Sequence, residues 1–367
     1  MNIGVVARST RFLVKFDLFM EFASPAFAEV SATTAISAGI ETAIAADRLG
    51  YDAVWSAEHH FVGDYSNAAA PDMLLAAIAQ ATTNIGLGFA ILPLPLYEPV
   101  RVAEKLATLD HLSGGRALWG VGRGVTKTEL GGFGIEMAES RQVFIDRYKT
   151  LRSILDDGSF ERDGETYYVN PAINPDLAPG WLAAVSPDSV DVAADLGLNL
   201  MTGPFKPRPM VKSDIRRYRG LTKEKDAQTS FTMAVHCDTD HERARQRAEE
   251  GIVWVYERIL EFARPLLNRQ IEGYEHYRKL GWIAQLFQKA ISLKTLEAMG
   301  LAAVGDPDHV AKKLRAVEEA GVDRIGMAIG GGDLSADEMI TCLDTMAKHV
   351  LPRFRPAEII PMTSGAA

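Results

Sequence analysis

The chain has 367 residues, of which 47% are hydrophobic and 24% are charged, and its formal net charge at pH 7 is −9. These values exclude a disordered chain, a collagen and a disulfide-stapled scaffold, and the acidic balance excludes a domain-wide basic face for nucleic acid or anionic lipid. No stretch approaches the roughly 18 consecutive apolar residues of a membrane span. The two cysteines, Cys237 and Cys342, are too far apart for a metal framework and favour a reducing compartment. We therefore expect a cytoplasmic protein without nucleic-acid or membrane partners.

One local pattern recurs along the chain: a helical run ends at a glycine, and an apolar strand follows within two or three residues. The glycines at these helix ends are Gly50, Gly114, Gly197 and Gly321, and glycine suits such ends because it readily adopts the left-handed conformation. The strands are continuous apolar runs, which is typical of parallel strands covered on both faces. We predict strands that begin near residues 16, 52, 85, 116, 181, 198, 230 and 323.

Alternation of these strands with amphipathic helices predicts an α/β fold with a parallel sheet. Eight strands indicate a (β/α)₈ TIM barrel. The alternative is an open doubly wound sheet, which the lack of a Gly-x-Gly-x-x-Gly motif in the first unit disfavours. Residues 121–181 and 236–323 are too long for one helix each, so we predict insertions after strands 4 and 7. Residues 264–303 are interpreted as an insertion that forms a lid or only covers the side of the barrel.

The domain organisation follows from the strand spacing. Eight units of about 33 residues make roughly 264, near the usual size of such a barrel. We predict a single barrel domain over residues 15–355, preceded by an N-terminal extension of residues 1–14 and followed by a C-terminal tail of residues 356–367. The remaining length is then insertions on one domain.

The second predicted strand is followed by His59 and His60. Active sites of barrels lie at the carboxyl ends of the strands, so this position is a candidate for catalysis. Adjacent residues of an extended chain point to opposite sides, which makes the pair poor joint ligands, and we predict no metal site. One of the two either faces the barrel mouth as a general acid or base or is a hydrogen-bonded structural residue.

The ends of the third and fourth strands carry candidate binding residues. Small residues around Ala90 and Ile91 allow close approach of a flat ligand, unless the following prolines only make a turn. Gly122 and Arg123 follow the fourth strand and offer free backbone and a guanidinium, a combination suited to phosphate. The alternative for Arg123 is a surface side chain beside a flexible turn.

The fifth strand ends at Val185 and Ser186. Ser186 can cap the next helix with Pro187 at its first position, and the amino end of a helix binds anions. A cap and nothing more is the alternative. Because Arg123 and Ser186 follow neighbouring strands, they can supply two halves of one phosphate cradle.

A series of short motifs runs in order through residues 15–355. They are Ala57-Glu58-His59-His60-Phe61, Leu92-Pro93-Leu94-Pro95, Glu98-Pro99-Val100-Arg101-Val102-Ala103-Glu104, Leu109-Asp110-His111-Leu112-Ser113-Gly114-Gly115-Arg116, Gly122-Arg123-Gly124, Phe133-Gly134, Glu139-Ser140-Arg141, Ala184-Val185-Ser186, Val304-Gly305-Asp306-Pro307-Asp308 and Ala320-Gly321-Val322-Asp323. In this order they resemble the bacterial luciferase-like family of flavin monooxygenases.

The resemblance implies a (β/α)₈ barrel that binds reduced FMN supplied by a separate flavin reductase. It implies reaction with O₂ through a C4a-peroxyflavin to oxygenate a small hydrophobic substrate of the aldehyde or ketone class. It also implies a homodimer. The residue roles that it implies are acid–base catalysis for His59, phosphate binding for Arg123, Ser186 and Ser189, and contact with the flavin for Ala90, Ile91, Gly122 and Val185, with a non-prolyl cis bond often found where Ala90–Ile91 falls.

Some features depart from the luciferase branch of that family. Gly122 stands where that branch has a cysteine, which disfavours luminescence. The region from Val235 to Arg258 looks more like the Baeyer–Villiger ketone oxygenases, although those enzymes often lack the arginine that Arg123 represents. Two other functions stay open: an F420-dependent oxidoreductase of the same fold, and a flavin-binding protein without turnover.

Overall fold

The computed structural model of the chain describes residues 13–124, 126–268 and 291–355. These residues form a closed barrel of eight parallel strands surrounded by helices, which confirms the predicted (β/α)₈ architecture. In chain order the strands are β1 (Lys15–Met20), β2 (Ala53–Ser56), β3 (Gly86–Pro93), β4 (Ala117–Gly122), β5 (Ser159–Arg162), β6 (Glu165–Tyr168), β7 (Trp181–Ala183), β8 (Asn199–Thr202), β9 (Thr229–Cys237), β10 (Ala302–Gly305) and β11 (Arg324–Ile329). All except β5, β6 and β10 belong to the barrel, and each barrel strand begins within one residue of its predicted start.

The barrel closes through parallel pairing of β8 with β9, of β9 with β11, and of β11 with β1. Leu200 of β8 lies opposite Thr229 of β9, and Lys15 of β1 lies opposite Arg324 of β11. Because all the pairings around the barrel are parallel, the carboxyl ends of its strands meet at one rim. Residues that follow different strands can therefore share one site.

Helices cover the outside of the barrel. They are α1 (Ala32–Leu49), α2 (Pro71–Ala81), α3 (Pro99–Ser113), α4 (Lys127–Gly132), α5 (Ser140–Asp157), α6 (Pro187–Asp195), α7 (Arg208–Leu221), α8 (His241–Asn268), α9 (Leu293–Met299), α10 (Pro307–Glu318) and α11 (Ala336–His349), with 3₁₀ turns at Ala26–Ala28, Gly63–Tyr65, Leu94–Leu96 and Leu351–Phe354. Both ends of α1 follow the usual rules of helix capping. The hydroxyl of Ser31 accepts a hydrogen bond from the Thr34 N–H at 3.0 Å, and Gly50 ends the helix at φ 78°.

The insertion after β4 contains α4, α5 and the antiparallel hairpin β5–β6. The hairpin was missed in the sequence. Its turn is Asp163-Gly164, with φ of 55° and 82°, and an Asp-Gly pair between two short strands is a strong hairpin signal. The hairpin lacks the apolar run that marks a buried strand, because β6 is exposed throughout.

The insertion after β9 contains α8, α9, β10 and α10. β10 pairs with the end of β9, with Ala302 opposite Ala234 and Gly305 opposite Cys237. The sequence analysis did not predict α9 or β10, both of which fall at the end of the proposed 264–303 lid. Residues 269–290, which hold most of that segment, lie outside the described residues, as do residues 1–12 and 356–367.

The interior of the barrel combines an apolar cluster with a buried ion pair. The apolar cluster consists of Ala53, Trp55, Ala90, Trp181 and Met201. Asp17 of β1 and Arg324 of β11 pair through two contacts of 2.7 Å, and the Trp55 indole N–H donates to Asp17 at 2.9 Å. Asp17 is 0% exposed and Arg324 only 5%, so the pair joins the two strands in the buried interior.

Among the described residues, no helix is long and apolar enough to cross a membrane. The same residues contain no group of three or more His, Cys, Asp or Glu side chains arranged to hold a metal ion. Cys237 and Cys342 are both buried free thiols.

Candidate active site

A pocket opens at the carboxyl rim of the barrel, where the ends of the strands meet. Most of the residues predicted for the site line this pocket, namely His59, Ala90, Ile91, Gly122, Arg123, Val185 and Ser189. Ser186 does not line it. The barrel thus brings together residues from the ends of four strands that are up to 130 positions apart in the sequence.

The wall beside β3 and β4 is apolar and close-packed. The Ala90–Ile91 peptide bond is cis, at the position where the resemblance implied such a bond. The pairing of β3 with β4 shifts register between Phe89 and Leu92. A side chain at Gly122 would place its Cβ 2.8 Å from Cδ1 of Ile91. Glycine at 122 therefore lets the Ile91 side chain lie against β4.

The amino end of α6 lies at one corner of the pocket. The Ser186 hydroxyl caps this helix: it accepts from the Ser189 N–H at 3.2 Å and shares a hydrogen bond of 2.8 Å with the Ser189 hydroxyl. Ser186 is buried, so it positions Ser189, and Ser189 faces the pocket. Arg123 lines the pocket as well, so cation and helix end occupy one cavity, as the phosphate hypothesis requires.

Arg141 of α5 is a second cation on the pocket wall. Its guanidinium lies 3.6 Å from the Asp188 carboxylate at the first turn of α6. The sequence analysis named Arg141 only as part of a motif and assigned it no role. Its place on a helix, away from any strand end, explains why a search of strand ends missed it.

His59 lies between two carboxylates. Its Nδ1 is 2.9 Å from Oε1 of Glu129 in α4, and its Nε2 is 3.6 Å from Oε2 of Glu21. Burial by itself would lower the pKa of His59, but the negative charges of Glu21 and Glu129 raise it to about 9. The histidine is therefore an imidazolium at neutral pH.

The two carboxylates differ in their surroundings. Burial raises the pKa of Glu21, although the charge of His59 opposes this. Glu129 is also buried, but hydrogen bonds from His59 and Thr126 outweigh burial and lower its pKa. Glu129 is therefore the firmly ionised partner, and Glu21 is the one that accepts a proton more readily.

The sequence analysis missed both carboxylates. Glu21 directly follows β1, so the rule that active sites lie at the carboxyl ends of barrel strands applies to it as well. Glu129 stands three positions after Thr126, whose hydroxyl accepts from the Glu129 N–H at 3.1 Å. This Thr-x-x-Glu spacing is typical of a helix start. It indicates the start of α4 but carries no information about contact with His59.

His60 points away from His59, as adjacent residues of an extended chain do. Its Nε2 lies 3.0 Å from Oε1 of Glu58, which also accepts from the Tyr97 hydroxyl at 2.7 Å. Burial raises the pKa of Glu58, against the hydrogen bonds from these two partners. The two imidazole rings thus contact different carboxylates, and of the two histidines only His59 lines the pocket.

The remaining walls of the pocket are mostly apolar. Those from the strands and their loops are Phe19, Leu182, Ala183, Met201 and Phe205, and those from helices are Phe144, Ile145, Val192, Ile259, Phe262 and Ala263. The last three belong to α8, so the insertion after β9 contributes one side of the pocket. Such walls exclude water from a bound ligand.

Comparison with known proteins agrees with this architecture. A family model described as luciferase-like monooxygenase matches residues 15–324. Limonene 1,2-monooxygenase of Rhodococcus erythropolis is 24% identical over 348 residues, which cover 89% of this chain and 84% of that protein.

Two solved structures share the fold. One is the oxygenating constituent of 3,6-diketocamphane monooxygenase from the CAM plasmid of Pseudomonas putida, a type II Baeyer–Villiger monooxygenase in complex with FMN; its TM-score is 0.73 at 20% identity, covering 93% of this chain and 99% of that one. The other is an F420-dependent secondary alcohol dehydrogenase in complex with an F420–acetone adduct, with a TM-score of 0.68 at 18% identity, covering 94% of this chain and 99% of that one. Since the family model spans most of the chain and the barrel places its motifs around one pocket, the protein belongs to the luciferase-like monooxygenase family and is an enzyme.

Proposed function

We propose that the protein is an FMN-dependent, two-component monooxygenase that uses O₂ to oxygenate a small hydrophobic aldehyde or ketone. The observation that carries the proposal is the composition of one pocket. It joins an anion-binding corner, apolar walls and a protonated histidine at the carboxyl rim of the barrel. A flavin phosphate, an aromatic ring and a reacting oxygen need these three environments.

The residues of the pocket fit FMN. A phosphate monoester can be bound by Arg123 after β4, Arg141 on α5 and Ser189 at the amino end of α6. All three donate hydrogen bonds, and the two arginines also carry positive charge. Ile91 and Val185 offer apolar surface for a flat ring system. Ser186 acts in this proposal by holding Ser189 in place. When bound, the reduced flavin supplies the electrons that activate O₂.

The protein excludes water from the pocket and supplies a proton. The apolar walls from the barrel and α8 keep water away from the reacting oxygen and accept a hydrophobic substrate. His59 holds a proton on Nε2, on the side of Glu21, where it can donate to an anionic oxygen in the pocket. Aldehydes and ketones both carry a carbonyl group, and this carbonyl is the group that the activated oxygen attacks.

The proposal includes partners. A protein that takes free reduced FMN needs a separate flavin reductase to supply it, and the reduced nicotinamide that drives such a reductase is abundant in the cytoplasm, where we place the activity. The resemblance to the family implies a homodimer, and the exposed side chains of Met73 on α2 and Leu112 on α3 offer apolar surface for it. Sedimentation equilibrium of the purified chain measures the oligomeric state, and a mass near that of one chain would reject the dimer.

The reaction is tested with a supplied flavin reductase, NADH, FMN and ¹⁸O₂ over a panel of aldehydes and ketones. We expect one ¹⁸O atom in an organic product, dependent on all components. Reduction of a substrate without O₂ uptake would instead identify an oxidoreductase. Anaerobic titration with reduced FMN and with reduced F420 distinguishes the two cofactors, and tighter binding of F420 would reject the FMN assignment.

Arg123→Ala is expected to weaken the binding of reduced FMN by about 1.5–3 kcal/mol, the contribution of a hydrogen bond to a charged group. This corresponds to an increase in Kd of about 10- to 150-fold. The reason is the loss of the guanidinium from the phosphate corner. Anaerobic fluorescence titration measures the affinity.

Two controls accompany this variant. Reduced riboflavin lacks the phosphate, so its affinity should not change in Arg123→Ala. Arg152 on α5 is half exposed, pairs with Asp156 one helical turn away, and is not among the described residues that line the pocket. Arg152→Ala should bind FMN as the wild type does. An equal loss for FMN and riboflavin would show that Arg123 does not contact the phosphate.

A further inference from the structure

We propose that Glu129 is a positioning residue that keeps His59 protonated and directs its Nε2–H toward Glu21 and the pocket. The proposal stands on the geometry of the described residues, and its consequence for turnover rests on the proposed function. The sequence motifs assign no role to Glu129 or to Glu21.

Glu129 is held rigidly. Its Oε1 accepts from His59 Nδ1 and from the His60 backbone N–H, both at 2.9 Å. Its Oε2 accepts from the Thr126 hydroxyl, and its own N–H donates to the same hydroxyl at 3.1 Å. The side chain is only 10% exposed. A carboxylate with this many fixed donors is ionised and stays in one rotamer.

This arrangement determines which His59 nitrogen faces the pocket. Because Oε1 of Glu129 accepts from the backbone of His60 as well, it is an acceptor, and the proton between Glu129 and His59 resides on Nδ1. Nε2 is then the nitrogen directed to Glu21, 3.6 Å away. That distance is too long for a strong hydrogen bond, so the Nε2–H is available to an oxygen atom bound in the pocket.

Among the described residues, the groups that set the charge around His59 are three carboxylates and one phenol. Glu21 comes from the end of β1, Glu58 precedes His59 in the chain, and Glu129 comes from α4. The Tyr65 ring packs edge-on against the imidazole with centroids 5.4 Å apart, and its hydroxyl donates to Glu21 at 3.3 Å. Burial raises the pKa of Tyr65, so this hydroxyl stays neutral. The surrounding charges are therefore negative, and they favour the imidazolium.

Glu129 and Glu21 act on different nitrogens of His59. Glu129 fixes the Nδ1 proton and supplies a permanent negative charge. Glu21 lies beside Nε2, and its negative charge favours the return of a proton from water to His59. A proton then moves from His59 Nε2 to an anionic oxygen of the ligand, and a proton from water replaces it.

Raising the pH removes the proton from His59. The folded-state pKa of His59 is raised above its ordinary value of 6.5 to about 9. The charged form of His59 is therefore fully present below pH 6.5 and persists until the pH rises through about 9, where it is lost. Turnover that depends on the Nε2 proton should fall above the same pH.

The test is NMR titration of histidine-labelled protein without cofactor, with His59→Gln to assign the signal. We expect a pKa of about 9 for His59 in the wild type and a value about 1–2 pH units lower in Glu129→Gln, the scale of one lost carboxylate partner. Glu129→Asp, which keeps the charge, should retain most of the elevation. Glu136, exposed in the loop after α4, gives the matched control Glu136→Gln, which should match the wild type.

The second readout is the pH profile of kcat. Its descending limb should move to lower pH in Glu129→Gln together with the NMR pKa. A wild-type His59 pKa at or below 6.5 would overturn the proposal even if the variant failed to fold, as would an unchanged pKa in folded Glu129→Gln. The NMR arm does not require turnover. A charged His59 in a protein that incorporates no oxygen would reject the proposed function and leave the role of Glu129 intact.

Discussion

Replacing His59 by alanine is expected to lower kcat for oxygenation by about 10²–10⁴-fold, the usual contribution of a positioned general acid or base. His59 is the only histidine among the described pocket residues, and its Nε2 carries the proton on the pocket side. Alanine leaves Glu21 and Glu129 without their shared cation and leaves no donor in its place. Single-turnover kinetics with saturating reduced FMN and O₂ measure the effect on chemistry separately from binding.

The neighbouring histidine supplies a matched control. His60 contacts Glu58 at 3.0 Å and does not line the pocket, so His60→Ala should keep kcat within about tenfold of the wild type. The affinity for reduced FMN should stay close to the wild-type value in both variants. Equal losses of kcat in the two variants, or wild-type kcat in His59→Ala, would contradict the assignment. A large loss of FMN affinity in His59→Ala would show a binding role instead.

Removing one partner of the buried ion pair is expected to destabilise the fold strongly. Arg324→Met should lower the free energy of unfolding by about 3–5 kcal/mol, because it leaves the Asp17 carboxylate buried and uncompensated. Of the side-chain donors in the described part of the chain, Asp17 then keeps the indole N–H of Trp55 at 2.9 Å. Urea unfolding followed by tryptophan fluorescence measures the change.

The double variant distinguishes the charge from the packing. Asp17→Asn with Arg324→Met removes both charges and keeps an acceptor for Trp55, so it should be more stable than Arg324→Met alone. The exposed pair of Arg152 with Asp156 is the control, and Arg152→Ala should cost less than about 1 kcal/mol. A loss under 1 kcal/mol in Arg324→Met would show that water reaches the Asp17 carboxylate.

The strands of the barrel were predictable because their signals are local. A glycine that ends a helix, followed by a continuous apolar run, marks β2, β4, β8 and β11 in the sequence. β10 was missed, because Ala302–Gly305 is four small or apolar residues with no distinctive pattern. It becomes a strand through pairing with β9 beyond the point where β8 ends, and such pairing depends on the closed barrel.

The candidate site was predictable where residues directly follow strands. The parallel barrel places His59, Ile91, Gly122 and Arg123 at one rim, as the strand-end rule requires. The rule could not distinguish Ser186, which caps α6, from Ser189, which faces the pocket. That difference depends on the rotation of a helix by less than one turn.

The amino-acid sequence by itself determined the eight strands, their order and the rim on which the site lies, because helix ends and apolar runs act over a few residues. Only the tertiary structure decided which charges surround His59. Glu129 is 70 positions away in the chain, and Glu21 follows a different strand. Their contacts with the imidazole exist because barrel closure brings β1, β2 and α4 to one wall, and burial there makes each ionic contact stronger than it would be in water.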